Sequence, residues 1–594
     1  MLIIKPEELS AAGFGTNEAF FVELWYSMTH QKSLDSYRVR CMNSRMILRE
    51  LAQELAIGII KPRELKGLAT EASEGLASDP VITQHFASQL KIIRPFLTTP
   101  PLAEKEDKKK KDDSEKEFIF IINDFHSALE KYYWKRLCET LTDTVTSGDR
   151  PSLKSVVSNT IADLVDRGWP IESIFTWHYH FLSSEIRSKY SFEKNLSFML
   201  KVFSQKSQEF EVTLRLAGSN RLIELGGYGD YKFTSLPVNL GDEVPKKWKH
   251  PKQSVCFAQT KIIDSDFLSA AINAKDTFEQ FIDLLRFDYE PYLLRIDQLC
   301  HVKRLSDGKT ELPTVKTTIP NPSSDFDHSN LNSFVEGLKA LSIKGSLEER
   351  SLRKIRGAIR QYRFGRDSEN YKDKFLNWWM GLETVAHIGR GDSIGDIVTH
   401  NVSRLMVLPY LSRILGDALA TMKYIPIEWH EKLKDHCNGK ELDEISLEEM
   451  LSIIQSQDHQ DILLKACERI PTMHFRCDDL FKLLINPAKT LQKIEDHKHH
   501  LEWQLARLYR IRCCIVHGAD VRFRLNLFAA NLEFYLKETI KYLISGLNNN
   551  DHISNLEEVF SRASIAYNRV VEGLNSQGAG NQEIKNAVFA NIIV

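Results

Sequence analysis

Arg512 and His517 are the two side chains in this sequence best suited to act together on a phosphodiester. They lie five residues apart in Leu508-Tyr509-Arg510-Ile511-Arg512-Cys513-Cys514-Ile515-Val516-His517-Gly518, late in an expected helix. Arginine carries a permanent cation on a planar fork of donors that matches phosphate. Histidine exchanges a proton near neutral pH. With phosphate held by one and a proton moved by the other, RNA can be cut through its own 2′-hydroxyl without a metal. On an ideal helix five residues turn the chain by about 140°, so the two side chains do not stack on one face. A left-handed cap at Gly518 would let His517 swing toward the arginine.

The elements that must position this pair are mostly helices, and the expected fold class is mainly α. Residues 1–100 read as a helical N-terminal region, and 101–118 as a charged linker or loop, because the run from Glu104 to Lys116 is low in complexity. Helices resume over 119–204. Residues 205–325 read as a small α+β module. Phe210–Leu216 alternates apolar and polar residues as a strand does, 255–263 suggests another, and 266–286 has a helical period. Ile319-Pro320-Asn321-Pro322-Ser323-Ser324 reads as the linker that closes the module. From 330 to 547 the chain reads as nearly continuous helix, with candidates at 347–362, 371–386, 394–415, 491–517 and 524–544. The tail, 548–594, has one more expected helix, and its apolar end reads as folding back, the alternative being packing on a partner.

Three features of the C-terminal third carry a family resemblance. The first is Tyr509-Arg510-Ile511-Arg512 followed by four residues and His517-Gly518. The second is the aromatic stretch Phe375-Leu376-Asn377-Trp378-Trp379-Met380-Gly381-Leu382-Glu383. The third is the helix from Phe528 to Ile544 with its Tyr535-Leu536 pair. Together they resemble the HEPN superfamily, specifically the Apea-like branch of helical ribonucleases from prokaryotic defence systems. The resemblance implies a helical bundle over 330–547, an R-x4-6-H active site, and a homodimer in which two motifs line one cleft. It implies a metal-independent endoribonuclease acting on single-stranded RNA as a regulated toxin or effector of anti-phage abortive infection. The region before residue 330 would then respond to a phage-derived or nucleotide trigger.

Arg512 and His517 are the expected catalytic residues. Glu383 is a supporting candidate, as an acid that orients the pair or as a structural ion pair within the bundle. Arg510 reads as an RNA-binding rim residue or a surface charge. Cys513 stands where the superfamily often has a polar residue, commonly Asn, and a thiol is a weak hydrogen-bond partner. That departure favours the rival reading, a non-catalytic HEPN scaffold that dimerises and binds RNA or a partner protein. Ala519 occupies the position at which some HEPN toxins carry a modified tyrosine, so that form of control is not implied.

Composition limits the alternatives. The chain has 594 residues, 42% apolar and 27% charged, with net charge −2, so an RNA site must be a local patch. Nine cysteines without a C-x-x-C pair suit a reducing cytoplasm. No apolar run approaches the length of a membrane span, and neither a cofactor nor a metal is expected. His497-Lys498-His499-His500 reads as a solvated helix surface, His178 and His180 as packing and surface in a helix, and Leu225-Gly226-Gly227-Tyr228-Gly229 as a turn.

Overall fold

The computed structural model describes all residues except 1–3, 31–41, 59–61, 102–107, 218–221, 236–243, 250–254, 289–293, 317–327, 345–346, 369, 390–392, 426, 518–524, 550–551 and 591–594. The chain forms two compact units. One comprises Met1–Asp163, His178–Phe192 and Ile319–Val594, and the other Leu164–Trp177 and Glu193–Thr318. The protein is mainly helical, with one small antiparallel sheet in the second unit.

That sheet has six strands: β1 (Gln208–Ala217), β2 (Gly227–Tyr228), β3 (Tyr231–Thr234), β4 (Val255–Asp264), β5 (Arg295–Arg304) and β6 (Thr310–Glu311), in the order β2-β3-β4-β1-β5-β6. Phe210, Val212, Leu214 and Leu216 of the central strand alternate onto one face. The helix Phe267–Asp288 covers that face, and Ala270, Ala271 and Ala274 give it the small surface that close packing needs. The α+β expectation therefore holds, as do β1, β4 and this helix; of the stretch expected to be a turn, Gly227–Tyr228 is β2 and the turn follows it at Gly229. β5 was not foreseen, because the stretch from Arg295 to Arg304 keeps charges at both ends and only Cys300, His301 and Val302 in its middle are buried.

In the helical unit, Phe118, Ile122, Phe125, Leu129, Tyr133, Leu137, Leu141 and Val145 recur at three- and four-residue steps and are all buried. They form the spine of a helix running Lys108–Ser147. The linker expected over 101–118 is therefore corrected. Residues 108–116 belong to this helix, because Lys and Glu are good helix formers and the apolar stripe downstream nucleates it. Residues 102–107 and the stretch 319–324 lie outside the described residues.

The C-terminal helices pack around an αα-hairpin. Helix Glu349–Asp367 turns back into Tyr371–Ala386, and Trp378 lies over Gly365, donating its Nε1–H to the Tyr362 carbonyl at 3.0 Å. A Cβ at Gly365 would fall 2.4 Å from Trp378 Nε1, so only glycine fits there. Leu525–Asn548 packs on the hairpin through Leu536 beside Gly381. The expected helix 394–415 is two helices, Ile394–Val407 and Tyr410–Tyr424, bent by 43° at Pro409, which cannot continue the first. No described helix is by itself long and apolar enough to cross a membrane. The tail carries two helices, Leu556–Leu574 and Asn581–Val588, where one was expected, with Leu556, Val559, Phe560 and Ala563 buried; residues 591–594 of its apolar end lie outside the described residues.

The N-terminal helices share the compact unit of the C-terminal bundle rather than forming a region apart. Glu23, in Thr16–Thr29, accepts from the Thr472 N–H and hydroxyl, each at 2.9 Å, and so caps the start of Pro471–Leu484. Its Oε1 is buried with no hydrogen-bond partner. Burial raises the Glu23 pKa from 4.5 to about 7, against the Thr472 bonds and Arg150.

A carboxyl whose pKa is raised on folding contributes stability that is present below its unfolded value and lost as pH rises through the folded one. Wild type is therefore expected to lose up to about 3 kcal/mol relative to Glu23→Gln between pH 4.5 and 7. Chemical denaturation of both proteins across that range checks this. A stability difference that stays flat with pH refutes the assignment.

Candidate active site

The motif lies at the end of the helix Pro487–Val516. Asn486 caps its start through the Lys489 N–H, and Pro487 occupies the first turn, where a missing N–H costs nothing. Leu501, Leu505, Leu508 and Ile511 are buried at steps of four and three, which fixes the rotation of the helix against the bundle. Tyr509 rests on Gly395, whose added Cβ would meet the tyrosine ring at 2.4 Å. Its ring also lies 5.7 Å from that of Trp379, so the two aromatic stretches singled out in the sequence do meet.

Two arginines of this helix are held inside the protein. Arg507, 2% exposed, donates from Nε to Glu50 Oε2 and from Nη2 to Glu71 Oε2, both at 2.7 Å. Arg510 donates from Nη2 to the other oxygen of Glu50 at 2.6 Å. Glu50 belongs to Ser44–Ile57 and Glu71 to Pro62–Ser78, so two N-terminal helices are clamped onto the motif helix. Burial opposes the charge on Glu50, but Arg507 and Arg510 outweigh it and hold its pKa low. On Glu71 burial wins over Arg507, and its pKa is raised. Arg510 is thus corrected from a rim or surface residue to a member of a buried ion-pair cluster. Three residues separate Arg507 and Arg510, which puts them on one face.

Arg512 follows Arg510 by two residues, about 200° of helix rotation, and so turns away from the cluster. It is half-buried, and among the described residues it makes no ion pair or hydrogen bond through its side chain. His517 ends the helix at φ −91° and ψ 10°, its N–H donated to the Cys513 carbonyl at 3.0 Å, and its ring is exposed. Val516 beside it is 50% exposed. Gly518, the expected left-handed cap, and Ala519 lie outside the described residues.

Glu383 has a partner other than the two expected for it. Its Oε2 accepts the Trp379 indole N–H at 2.9 Å, one turn back in its own helix. No contact joins it to Arg512 or His517 among the described residues. Cys513 is half-buried, one turn from Tyr509; burial, then this thiol, raise the tyrosine's pKa.

His497 is corrected from a solvated histidine. It stacks on Tyr410 at 3.6 Å and 10°, and burial followed by Arg413 lowers its pKa to about 3, so it stays neutral. Among the described residues no three His, Cys, Asp or Glu side chains converge as metal ligands. His178 is buried against Tyr26. Sequence reasoning missed the partnership of Glu50 and Glu71 with Arg507. The available signal was a carboxylate set between Leu48 and Leu51 in an apolar stripe.

No family model, curated protein or solved structure matches this chain.

Removing one partner from a buried ion pair strands the other's charge, at a cost of about 3–5 kcal/mol. Arg507→Met is expected to lower stability by about that much, and adding Glu50→Gln and Glu71→Gln to recover part of it. The transition in denaturant unfolding that reports the helical unit is the readout. An unshifted midpoint in Arg507→Met would show that the cluster does not hold the helices together.

Proposed function

We propose that this protein is a metal-independent endoribonuclease of the HEPN type that cleaves single-stranded RNA through Arg512 and His517. The observation that carries the reading is a division of labour within one helix. Arg507 and Arg510 are neutralised by buried glutamates, whereas the side chains of Arg512 and the exposed His517, beyond them, make no ion pair or hydrogen bond among the described residues. A cation and an imidazole left unpaired at the end of a helix otherwise fixed by packing are suited to a ligand.

His517 takes the proton from a ribose 2′-hydroxyl as the 2′-oxygen bonds to phosphorus. The bond to the 5′-oxygen breaks, and an imidazolium supplies that oxygen's proton. Arg512 binds the phosphate and offsets the charge that builds on its oxygens. The products are a 2′,3′-cyclic phosphate and a 5′-hydroxyl. Single strands suit this chemistry because the 2′-hydroxyl must rotate in line with the scissile bond. Arg512 and His517 diverge by about 140° around one helix, so a second subunit completes the site, and exposed Val516 offers that partner an apolar contact. The reading extends to a cytoplasmic homodimer serving anti-phage defence, its N-terminal helices receiving a phage-derived or nucleotide trigger. A second reading, a scaffold that binds RNA or a protein without cutting, is favoured by Cys513, a thiol where the superfamily often has a polar residue.

Purified protein incubated with single-stranded RNA in EDTA, with candidate triggers supplied, separates the two. Cleavage to cyclic-phosphate ends is expected in wild type, with at least about a hundredfold loss in His517→Ala and Arg512→Ala. Intact RNA with wild type, or cutting that survives in either variant, rejects the catalytic reading.

A further inference from the structure

The helix Glu349–Asp367 carries six arginines, Arg350, Arg353, Arg356, Arg360, Arg363 and Arg366, together with Lys354. Its only acids are Glu349 and Asp367, at its two ends. The whole chain has a net charge of −2, so this is a strong local excess. All six arginines are exposed. Arg353, Arg356, Arg360 and Arg363, at steps of three and four, fall within an arc of about 80°. These four span about 15 Å along the axis, with Arg350 and Arg366 flanking the row on either side of it.

Little on the protein neutralises the row. Among the described residues, Arg353 alone has an acidic partner, Glu349 at 3.7 Å, and both side chains are more than two-thirds exposed, so the pair is weak. Arg356 donates to the Ser342 hydroxyl at 3.1 Å, and Arg366 interacts electrostatically with Tyr362. Glu533, the nearest buried acid on the neighbouring helix Leu525–Asn548, accepts from the Tyr362 hydroxyl. The apolar side of the arginine helix is committed to the bundle, with Ile355 and Ala358 fully buried.

We propose that this arginine row is the surface that binds the phosphate backbone of single-stranded RNA, and so delivers the substrate of the ribonuclease reading on which this inference rests. Three features favour RNA over other polyanions. Guanidinium forks match phosphate bidentately, and the row is almost wholly arginine. Arg363 lies over the ring of Phe364, which is 42% exposed and offers a base a stacking surface. A membrane-binding helix needs an apolar face free to enter the bilayer interface, and here that face is used inside. A row of about 15 Å tracks about four stacked nucleotides.

The test is binding by the full chain in a His517→Ala background, so that it does not depend on cleavage. Fluorescence anisotropy of a labelled short oligouridine is followed over a series of salt concentrations. Four phosphate contacts predict that log K falls with log salt at a slope of about −3. Replacing Arg353, Arg356 and Arg360 by Gln, a good helix former, is expected to cut affinity at least about tenfold and make the slope shallower by about 2. Circular dichroism checks that the variant keeps its helix. Unchanged affinity and slope in a folded variant overturn the proposal. So does a wild-type preference for anionic vesicles, duplex DNA or polyglutamate over the oligouridine. Because wild-type cleavage is scored separately, a protein that binds through the row but never cuts leaves this proposal standing and defeats only the catalytic one.

Discussion

The Arg507–Glu50–Glu71 cluster, joined by Arg510, sets the position of the motif helix. Two carboxylates and two guanidiniums are buried where N-terminal and C-terminal helices meet. Buried ions are costly unless each finds a partner, and here both oxygens of Glu50 are bonded to arginine. Such a cluster adds little net stability over apolar packing, but it is intolerant of misregister. Rotating or sliding the helix by one residue would separate the charges. The face that carries Arg512 is fixed as a consequence.

The apolar packing agrees with that choice. Leu501, Leu505, Leu508 and Ile511 dictate the same rotation, and Tyr509 fits onto Gly395 only because no side chain stands there. Hydrophobic burial and ion pairing therefore point the helix one way, as expected of a sequence whose local and global preferences agree. The regulatory implication is direct. Any event that moves the helices Ser44–Ile57 and Pro62–Ser78 acts on Glu50 and Glu71, and through them on the segment that ends in His517.

Much of this was legible in the sequence, and the gaps have physical causes. Tyr371–Ala386 was bounded correctly, because Asn370 is a good cap and the aromatic run has a clear period. The central strand β1 showed in its alternation and β4 in its apolar runs. The charged stretch after residue 107 was misread because solvated helix and loop look alike in composition. Pairings distant in sequence were invisible: nothing local tells that Glu50 meets Arg507, 457 residues on. Arg510 was misassigned for that reason, and His497 because its stacking partner, Tyr410, comes from another helix. Arg512 and His517 were singled out by residue type and spacing, whereas the partner of Glu383, expected to be one of them, is Trp379 one turn back.

The central claim is that three arginines within six residues do two different jobs. Lysine replacement, one position at a time, tests it most directly, with melting temperature and RNA cleavage measured on each variant. The account predicts that Arg507→Lys and Arg510→Lys lower the melting temperature, because one ammonium cannot reproduce the forked contacts to Glu50 and Glu71. It predicts that Arg512→Lys melts as wild type does while its cleavage falls sharply. An Arg512→Lys protein that loses stability like the other two, or that cuts RNA at the wild-type rate, would contradict it.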